Sequence, residues 1–283
     1  MKKWTMTLLI LLVATLGPAQ NVIYEKSDSI RIEQILEKIN GKEYSTQGER
    51  ILEIASEFVG EKYVGATLEN GKKEPLYISC TRLDCTTFVE LVLAIATTSV
   101  KGEKRFSDVC RNLERIRYRG GVRDGYTSRL HYASWWIEDN VKMGILKEVA
   151  FPRLSKKRRL ELNFMSRNPE KYPLLKNDRK AIDAIAGFEK ASNGKTVRYL
   201  PKELLNRSAD QFNIKDGDVI MLVTTQKGLD IAHMGFAFWE NGRLHLMHAS
   251  SLKKMVIKDK LTLYEYQKKK KKSQPGIRVL RAL

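Results

Sequence analysis

The segment Asp84-Cys85-Thr86-Thr87-Phe88 places a thiol directly after a residue able to cap a helix. Behind it, Phe88, Leu91, Val92 and Ile95 recur at i, i+3, i+4 and i+7, the spacing that gives one apolar helix face. Asp84 can accept main-chain N–H bonds at the start of such a helix, so Cys85 falls in its first turn. Unpaired N–H groups and the positive end of the helix dipole favour a thiolate there, and the same groups can receive an oxyanion. A cysteine beginning an apolar helix is also a common small core residue. Nucleophilic chemistry at Cys85 therefore needs a base brought from elsewhere in the chain.

Four histidines are available: His131, His233, His245 and His248. His233 lies in an expected strand, Ile231 to Trp239. Period two puts it on one face with Gly235, Ala237 and Trp239, and Ala232, Met234, Phe236 and Phe238 on the other. The small residues beside His233 suggest that a bulky element such as the Cys85 helix packs there. Asn241-Gly242 is a two-residue hairpin signal; it pairs Glu240 with Arg243, Phe238 with His245 and Gly235 with His248. Paired residues point to the same side of a sheet, so His248 shares the His233 face while His245 points away. His248 is thus the favoured partner to orient the His233 imidazole, and a three-residue turn would promote His245 instead. His245 and His248, three positions apart on a strand, send their rings to opposite faces and do not easily share an ion. Cys85, His233 and His248 fit nucleophile, base and orienter better than a metal centre.

The elements that must position these groups follow from periodicity. Residues from Ser27 to about Gly60 predict two amphipathic helices, carrying Ile35, Leu36 and Ile39 and then Ile51, Ile54, Ala55 and Phe58. The middle, to about Gln211, reads as helical and highly charged, broken by Pro152, Pro169, Pro173 and Pro201. After Asp216-Gly217 the period becomes two, with strands at Val219 to Val223, Ile231 to Trp239, Leu244 to His248, Met255 to Ile257 and Ile277 to Leu280. Helices first and a strand meander last indicate an α+β fold. The Lys268 to Lys272 run between two strands reads as a solvated loop, with weak attraction to an acidic polymer as the other option.

Composition bounds the partners. The 283 residues, 42% hydrophobic, can bury a core. Lysine and arginine number 51 against 33 acidic residues, a formal net charge of +18, which suits an anionic partner. Met1-Lys2-Lys3, the apolar run Leu8 to Leu16 and the small residues Gly17-Pro18-Ala19 read as a secretory signal over residues 1–19, with a retained anchor as the alternative. Export, to the periplasm, argues against a nucleic-acid partner and leaves no stable membrane insertion after cleavage. Three cysteines without a C-x-x-C pair exclude a cysteine zinc module or redox dithiol. Cys80 and Cys110 can pair or stay as buried thiols, whereas a Cys80–Cys85 bridge would block nucleophilic chemistry.

The run Leu83-Asp84-Cys85-Thr86-Thr87-Phe88-Val89-Glu90, then His233-Met234-Gly235 and His248-Ala249-Ser250-Ser251 resemble the motifs of NlpC-type papain-like cell-wall hydrolases. Within that superfamily, Lys62 to Glu69, Arg117-Tyr118 and Ser128-Arg129-Leu130-His131-Tyr132 with Trp136 and Asp139 resemble the N-acetylmuramoyl-L-alanine amidase-like branch. The likeness runs from about Ile51 to the C-terminus. It departs from the superfamily's common Asp-Cys-Ser-Gly at Thr86-Thr87, which fits this branch. The resemblance implies a papain-like fold over residues 20–283 with a helical insertion around 100–210. It also implies hydrolysis of the amide between a muramic lactyl group and L-alanine in peptidoglycan turnover fragments (muropeptides), in cell-wall recycling and with no cofactor. Carried over by position, Cys85 is the nucleophile, His233 the base and His248 the third member. Tyr63 stands near the oxyanion site, and Asp84, Arg129 and His131 are substrate-side residues, the last two equally open to structural hydrogen bonding. Two other functions keep the same residues: a γ-D-glutamyl endopeptidase of stem peptides and a non-catalytic cell-wall binding module.

Overall fold

A computed structural model describes residues 22–69, 73–208, 211–269 and 273–283; the expected signal segment lies outside them. The chain begins with β1 (Val22–Ile23), α1 (Lys26–Asn40) and α2 (Gln47–Ser56), then β2 (Lys62–Tyr63), β3 (Leu76–Tyr77) and β4 (Arg82–Leu83). The central helix α3 (Cys85–Val100) follows, then α4 (Phe106–Arg117), α5 (Ala133–Lys142), β5 (Leu146–Glu148), β6 (Lys156–Arg159), α6 (Phe164–Arg167), α7 (Arg179–Ser192) and β7 (Thr196–Pro201). The C-terminal part is β8 (Val219–Val223), β9 (Ile231–Glu240), β10 (Arg243–Ser250), β11 (Met255–Thr262), α8 (Leu263–Lys269) and β12 (Gly276–Ala282). A ten-stranded sheet runs in the order β4-β2-β11-β10-β9-β8-β12-β7-β6, with β5 on β12, and every pairing except β2 with β4 is antiparallel. This is the expected α+β organisation. The middle of the chain departs from it: β5, β6 and β7 join the sheet where a helical insertion was expected. Lys156-Lys157-Arg158-Arg159 and its neighbours are so charged that strand alternation is invisible, and pairing with Thr196–Tyr199 decides the conformation.

The hairpin register follows the turn. Asn241 and Gly242 have φ of 50° and 69°, the left-handed pair that a two-residue turn matching strand twist requires. Arg243 accordingly pairs with Glu240 and His245 with Phe238. The layer covering each face differs from expectation. Helix α3 packs on the face of Met234 and Phe236, where the Phe88 and Phe236 rings lie 5.6 Å apart, edge to face. The face of His233 and Ala237 is shared with Leu244 and Leu246 and covered by Tyr264 and Tyr266 of α8. Alternation sorts residues onto two faces, but both faces here are apolar, so it cannot say which layer lies on which. The room left by Gly235 serves the neighbouring strand: a Cβ there would lie 2.6 Å from the Met247 carbonyl oxygen and 2.7 Å from His248 Cβ.

Helix α3 is buried almost all round, between α1, α2 and α4 on one side and β9 and β10 on the other. A polar brace passes through this apolar surround. Arg117 Nε donates to Glu90 Oε2 at 2.7 Å, Arg117 Nη1 donates to the Tyr77 carbonyl at 2.8 Å, and the Trp136 indole donates to Glu90 Oε1 at 3.2 Å. Arg117, Glu90 and Trp136 are each about 2% exposed. A buried charge persists only when paired and hydrogen-bonded, so these three side chains fix α3 against α4 and α5.

Candidate active site

Asp84 caps α3 as expected: its Oδ1 accepts from Thr86 N–H at 3.1 Å and Thr87 N–H at 2.8 Å, while Thr87 Oγ1 accepts from the Asp84 N–H at 2.9 Å. This reciprocal capping box occupies the carboxylate and sets the first turn, which holds Cys85. The Met234 N–H, next to His233, donates to the Cys85 sulfur. The helix head thus reaches strand β9 at the residue adjoining the histidine, although the body of α3 lies on the opposite face. Burial, reinforced by the Asp84 charge, pushes the Cys85 thiol up to about 12, and the N–H and hydroxyl donors around it only partly oppose this. The helix dipole alone predicts a thiolate; desolvation outweighs it and keeps the sulfur protonated.

His233 and His248 meet as the register requires. His233 Nε2 and His248 Nδ1 are 2.6 Å apart, with the rings nearly perpendicular. His248 Nε2 in turn lies 3.3 Å from Asp259 Oδ2. Burial works to raise the Asp259 carboxyl, but the hydrogen bonds from His248 and from the Leu261 N–H outweigh it and hold the group below the usual carboxylate range. An ionised Asp259 can only accept, so His248 carries its proton on Nε2 and offers the Nδ1 lone pair to the His233 Nε2–H. The proton of His233 is thereby assigned to Nε2, and Nδ1 becomes the basic position of that ring. Tyr266 lies parallel to the His233 ring at 6.4 Å and edge-on to His248 at 5.6 Å. Its hydroxyl is pushed up to about 12, first by burial and then by the charge of Asp259.

Tyr63 stands on the other flank. Its hydroxyl is pushed up to about 12 by burial and further by the Asp84 charge, so it stays protonated and able to donate, and Tyr63 pairs with Leu83 just before the helix head. Three predicted residues are engaged elsewhere. His245 Nδ1 donates to the Asp259 carbonyl at 3.1 Å and its ring stacks on Phe238, away from the pair, as parity requires. Arg129 is 4% exposed and donates to Glu69 Oε1 at 2.5 Å and the Leu68 carbonyl at 3.1 Å, with Glu74 beside it. His131 Nε2 donates to the Tyr126 carbonyl at 2.8 Å, and burial, with the Arg129 charge, holds it well below its usual value. Of the two roles open to Arg129 and His131, the structure places them in internal bonding. Sequence reasoning missed Asp259 and Tyr266. All three cysteines are free thiols; Cys80 donates to the Asp28 carbonyl and Cys110 is buried in the core.

A cysteine at the head of a buried helix, bonded to the N–H of Met234, and a histidine pair with a carboxylate carried on a mostly antiparallel sheet define an α+β protein with a candidate cysteine–imidazole site. Residues 53–277 match the AmiA-like family, described as N-acetylmuramoyl-L-alanine amidase-like, and the chain belongs to that family. The crystal structure of an N-acetylmuramoyl-L-alanine amidase from Bacteroides uniformis is 40% identical and superposes with a TM-score of 0.77, covering 84% of this chain and 99% of that one. A Bacteroides fragilis protein provisionally named a xylanase is 45% identical, with a TM-score of 0.75 over 81% of this chain and 99% of that one. A Legionella pneumophila protein of family DUF1460, 22% identical, shares the fold with a TM-score of 0.67 over 91% of this chain and 95% of that one. Comparison with curated proteins gives no significant match.

Proposed function

We propose that this protein is an exported, periplasmic cysteine amidase of the NlpC-type papain-like kind. Its reaction is hydrolysis of the amide joining the lactyl group of (anhydro-)N-acetylmuramic acid to L-alanine in peptidoglycan turnover fragments, a step of cell-wall recycling. Family membership and the name of the Bacteroides uniformis relative support the reaction class. The observation that carries the residue roles is the relay running from Asp259 through His248 to His233, with the Cys85 sulfur bonded to the N–H of the next residue.

In this mechanism the protonated Cys85 passes its proton to His233 Nδ1 as the sulfur attacks the carbonyl carbon. The Cys85 N–H and the Tyr63 hydroxyl hold the resulting oxyanion. Collapse of the tetrahedral intermediate breaks the C–N bond, His233 returns the proton to the L-alanine nitrogen, and a thioester remains. Water, deprotonated by the same imidazole, releases the muramic carboxylate and restores the thiol. The chain's own residues supply every proton transfer.

The test is incubation of the mature protein with anhydro-muropeptides, read by mass spectrometry. The expected product is an intact stem peptide beginning at L-alanine, with Cys85→Ala reduced to background. Release of an L-alanyl-D-glutamyl dipeptide from a free L-alanine end would instead mean endopeptidase action, and unchanged turnover by Cys85→Ala would mean that the residue carries no catalysis. N-terminal sequencing of the exported protein is expected to begin at Gln20.

A further inference from the structure

A cleft of about 750 Å³ opens between the turn joining β10 to β11 and helix α8. Two of its walls are already part of the site: Asp259, which holds His248, and Tyr266, which lies over His233. Its far rim leads toward Tyr63, whose N–H donates to the Lys254 carbonyl of the same turn at 2.9 Å, and Met255 pairs with Lys62. The cleft therefore borders the candidate centre through Asp259 and Tyr266, while Cys85, His233 and His248 are not among its lining residues.

Its chemistry is uneven in sign. Lys253, Lys258, Lys260 and Lys269 line it and are all exposed, while the acidic lining residue, Asp259, is committed to His248. Two carboxylates feel these lysines: Asp259 the charge of Lys253, and Glu265 the charge of Lys269, one helical turn after it. Between them Leu252 and Met255 present unusually accessible apolar side chains, 68% and 41% exposed. Ammonium groups around a small apolar patch suit a ligand with several carboxylates spaced along a short aliphatic backbone.

We propose that this cleft binds the peptide half of the substrate, the half that leaves as an amine, through its carboxylates. The inference rests on the amidase mechanism above. There, the leaving nitrogen takes its proton from His233, so the chain attached to it starts at the imidazole and continues past Tyr266. The two halves also differ in charge. Once the lactyl carbonyl is bound as a thioester, the sugar half carries no ionised carboxylate, whereas an acidic stem peptide keeps its terminal and glutamyl carboxylates. The cationic wall matches only the peptide half.

The experiment compares wild type with Lys253→Gln/Lys269→Gln and with the charge-keeping Lys253→Arg/Lys269→Arg. Each is assayed on an anhydro-muropeptide with free stem carboxylates and on the same compound with those carboxylates amidated. One exposed ion pair is worth up to about fivefold, so the Gln pair is expected to raise KM about tenfold for the free-carboxylate substrate with kcat unchanged. It is expected to leave the amidated substrate unaffected, the Arg pair is expected to restore KM, and added salt is expected to erase the wild-type advantage. Equal KM values for all three proteins on the free-carboxylate substrate, with turnover intact, would overturn the inference and leave the amidase assignment standing. An equal KM loss on both substrates would also overturn it, because the lysines would then not read the carboxylates. Absence of turnover by wild type on either compound would overturn the amidase assignment, and the inference with it.

Discussion

Replacing Asp259 with Asn tests whether the carboxylate sets the proton positions of the two imidazoles. The amide oxygen can still accept from His248 Nε2–H, so the geometry survives and the negative charge is lost. The bond spans 3.3 Å, long for a charge-assisted contact, which puts its worth at the lower end of the usual range, about 1.5 kcal/mol. That corresponds to about a tenfold fall in kcat, with KM nearly unchanged because Asp259 acts through His248. Asp259→Leu removes the acceptor altogether. His248 is then able to carry its proton on Nδ1 and donate to His233 Nε2, which moves the His233 proton onto the position that must act as base; a loss of about a hundredfold is expected. Muropeptide turnover measures both variants, and nitrogen chemical shifts of the two histidines report the tautomers directly. Asp259 is held below the usual carboxylate range, so its contribution is present from that range upward and is lost only as pH falls through its lowered native value. Activity between pH 6 and 8 therefore titrates with other groups. The tautomer reasoning is refuted if Asp259→Asn costs the same factor in a His248→Ala background as in wild type, since the carboxylate would then act without the second imidazole.

Three further outcomes follow from the packing. Gly235→Ala inserts a Cβ 2.6 Å from the Met247 carbonyl and 2.7 Å from His248 Cβ; a loss of about 1–3 kcal/mol with a disproportionate fall in kcat is expected, measured by urea unfolding and turnover, and a fully active variant of normal stability would contradict the close approach. Arg117→Leu strips the buried Glu90, whose carboxyl burial already pushes up, of its cationic partner and leaves it the Trp136 indole as donor, with an expected cost of about 3–5 kcal/mol read by urea unfolding; an unchanged midpoint would show that α3 needs no polar brace. Burial pushes Cys80, Cys85 and Cys110 up to about 12, so above pH 9 the unfolded chain gives up thiol protons that the native state keeps. Each such thiol removes about 1.4 kcal/mol of stability per pH unit there, and Cys80→Ala/Cys110→Ala is expected to show a shallower decline between pH 9 and 10.5 than wild type.

Much of the centre was legible because strand parity is a strict rule. Asn241-Gly242 determined the pairing of β9 with β10, and that pairing brought His233 to His248 and turned His245 away. Capping by Asp84 placed Cys85 at the head of α3 for equally local reasons. Asp259 was missed because β11 was expected to stop at Ile257. The strand continues to Thr262, and pairing of His248 with Ile257 puts Asp259 on the histidine face two residues on, a signal that counting further would have caught. A bulge between His245 and Met247 then interrupts the register, which no pattern of residue types announces. Tyr266 was hidden for another reason: α8 is too short to show an apolar period and runs into the Lys268 to Lys272 stretch that reads as a solvated loop, of which only Lys268 and Lys269 fall within the described residues. The engagement of Arg129 by Glu69 and Glu74 joins segments some sixty positions apart, beyond the reach of local periodicity.

The firmly held proton on Cys85 bears on survival as well as turnover. Peroxide and stray disulfides attack the ionised sulfur far faster than the neutral one. A sulfur that keeps its hydrogen is a poor target for such attack, and Cys80 and Cys110, the two companion thiols, are buried and free.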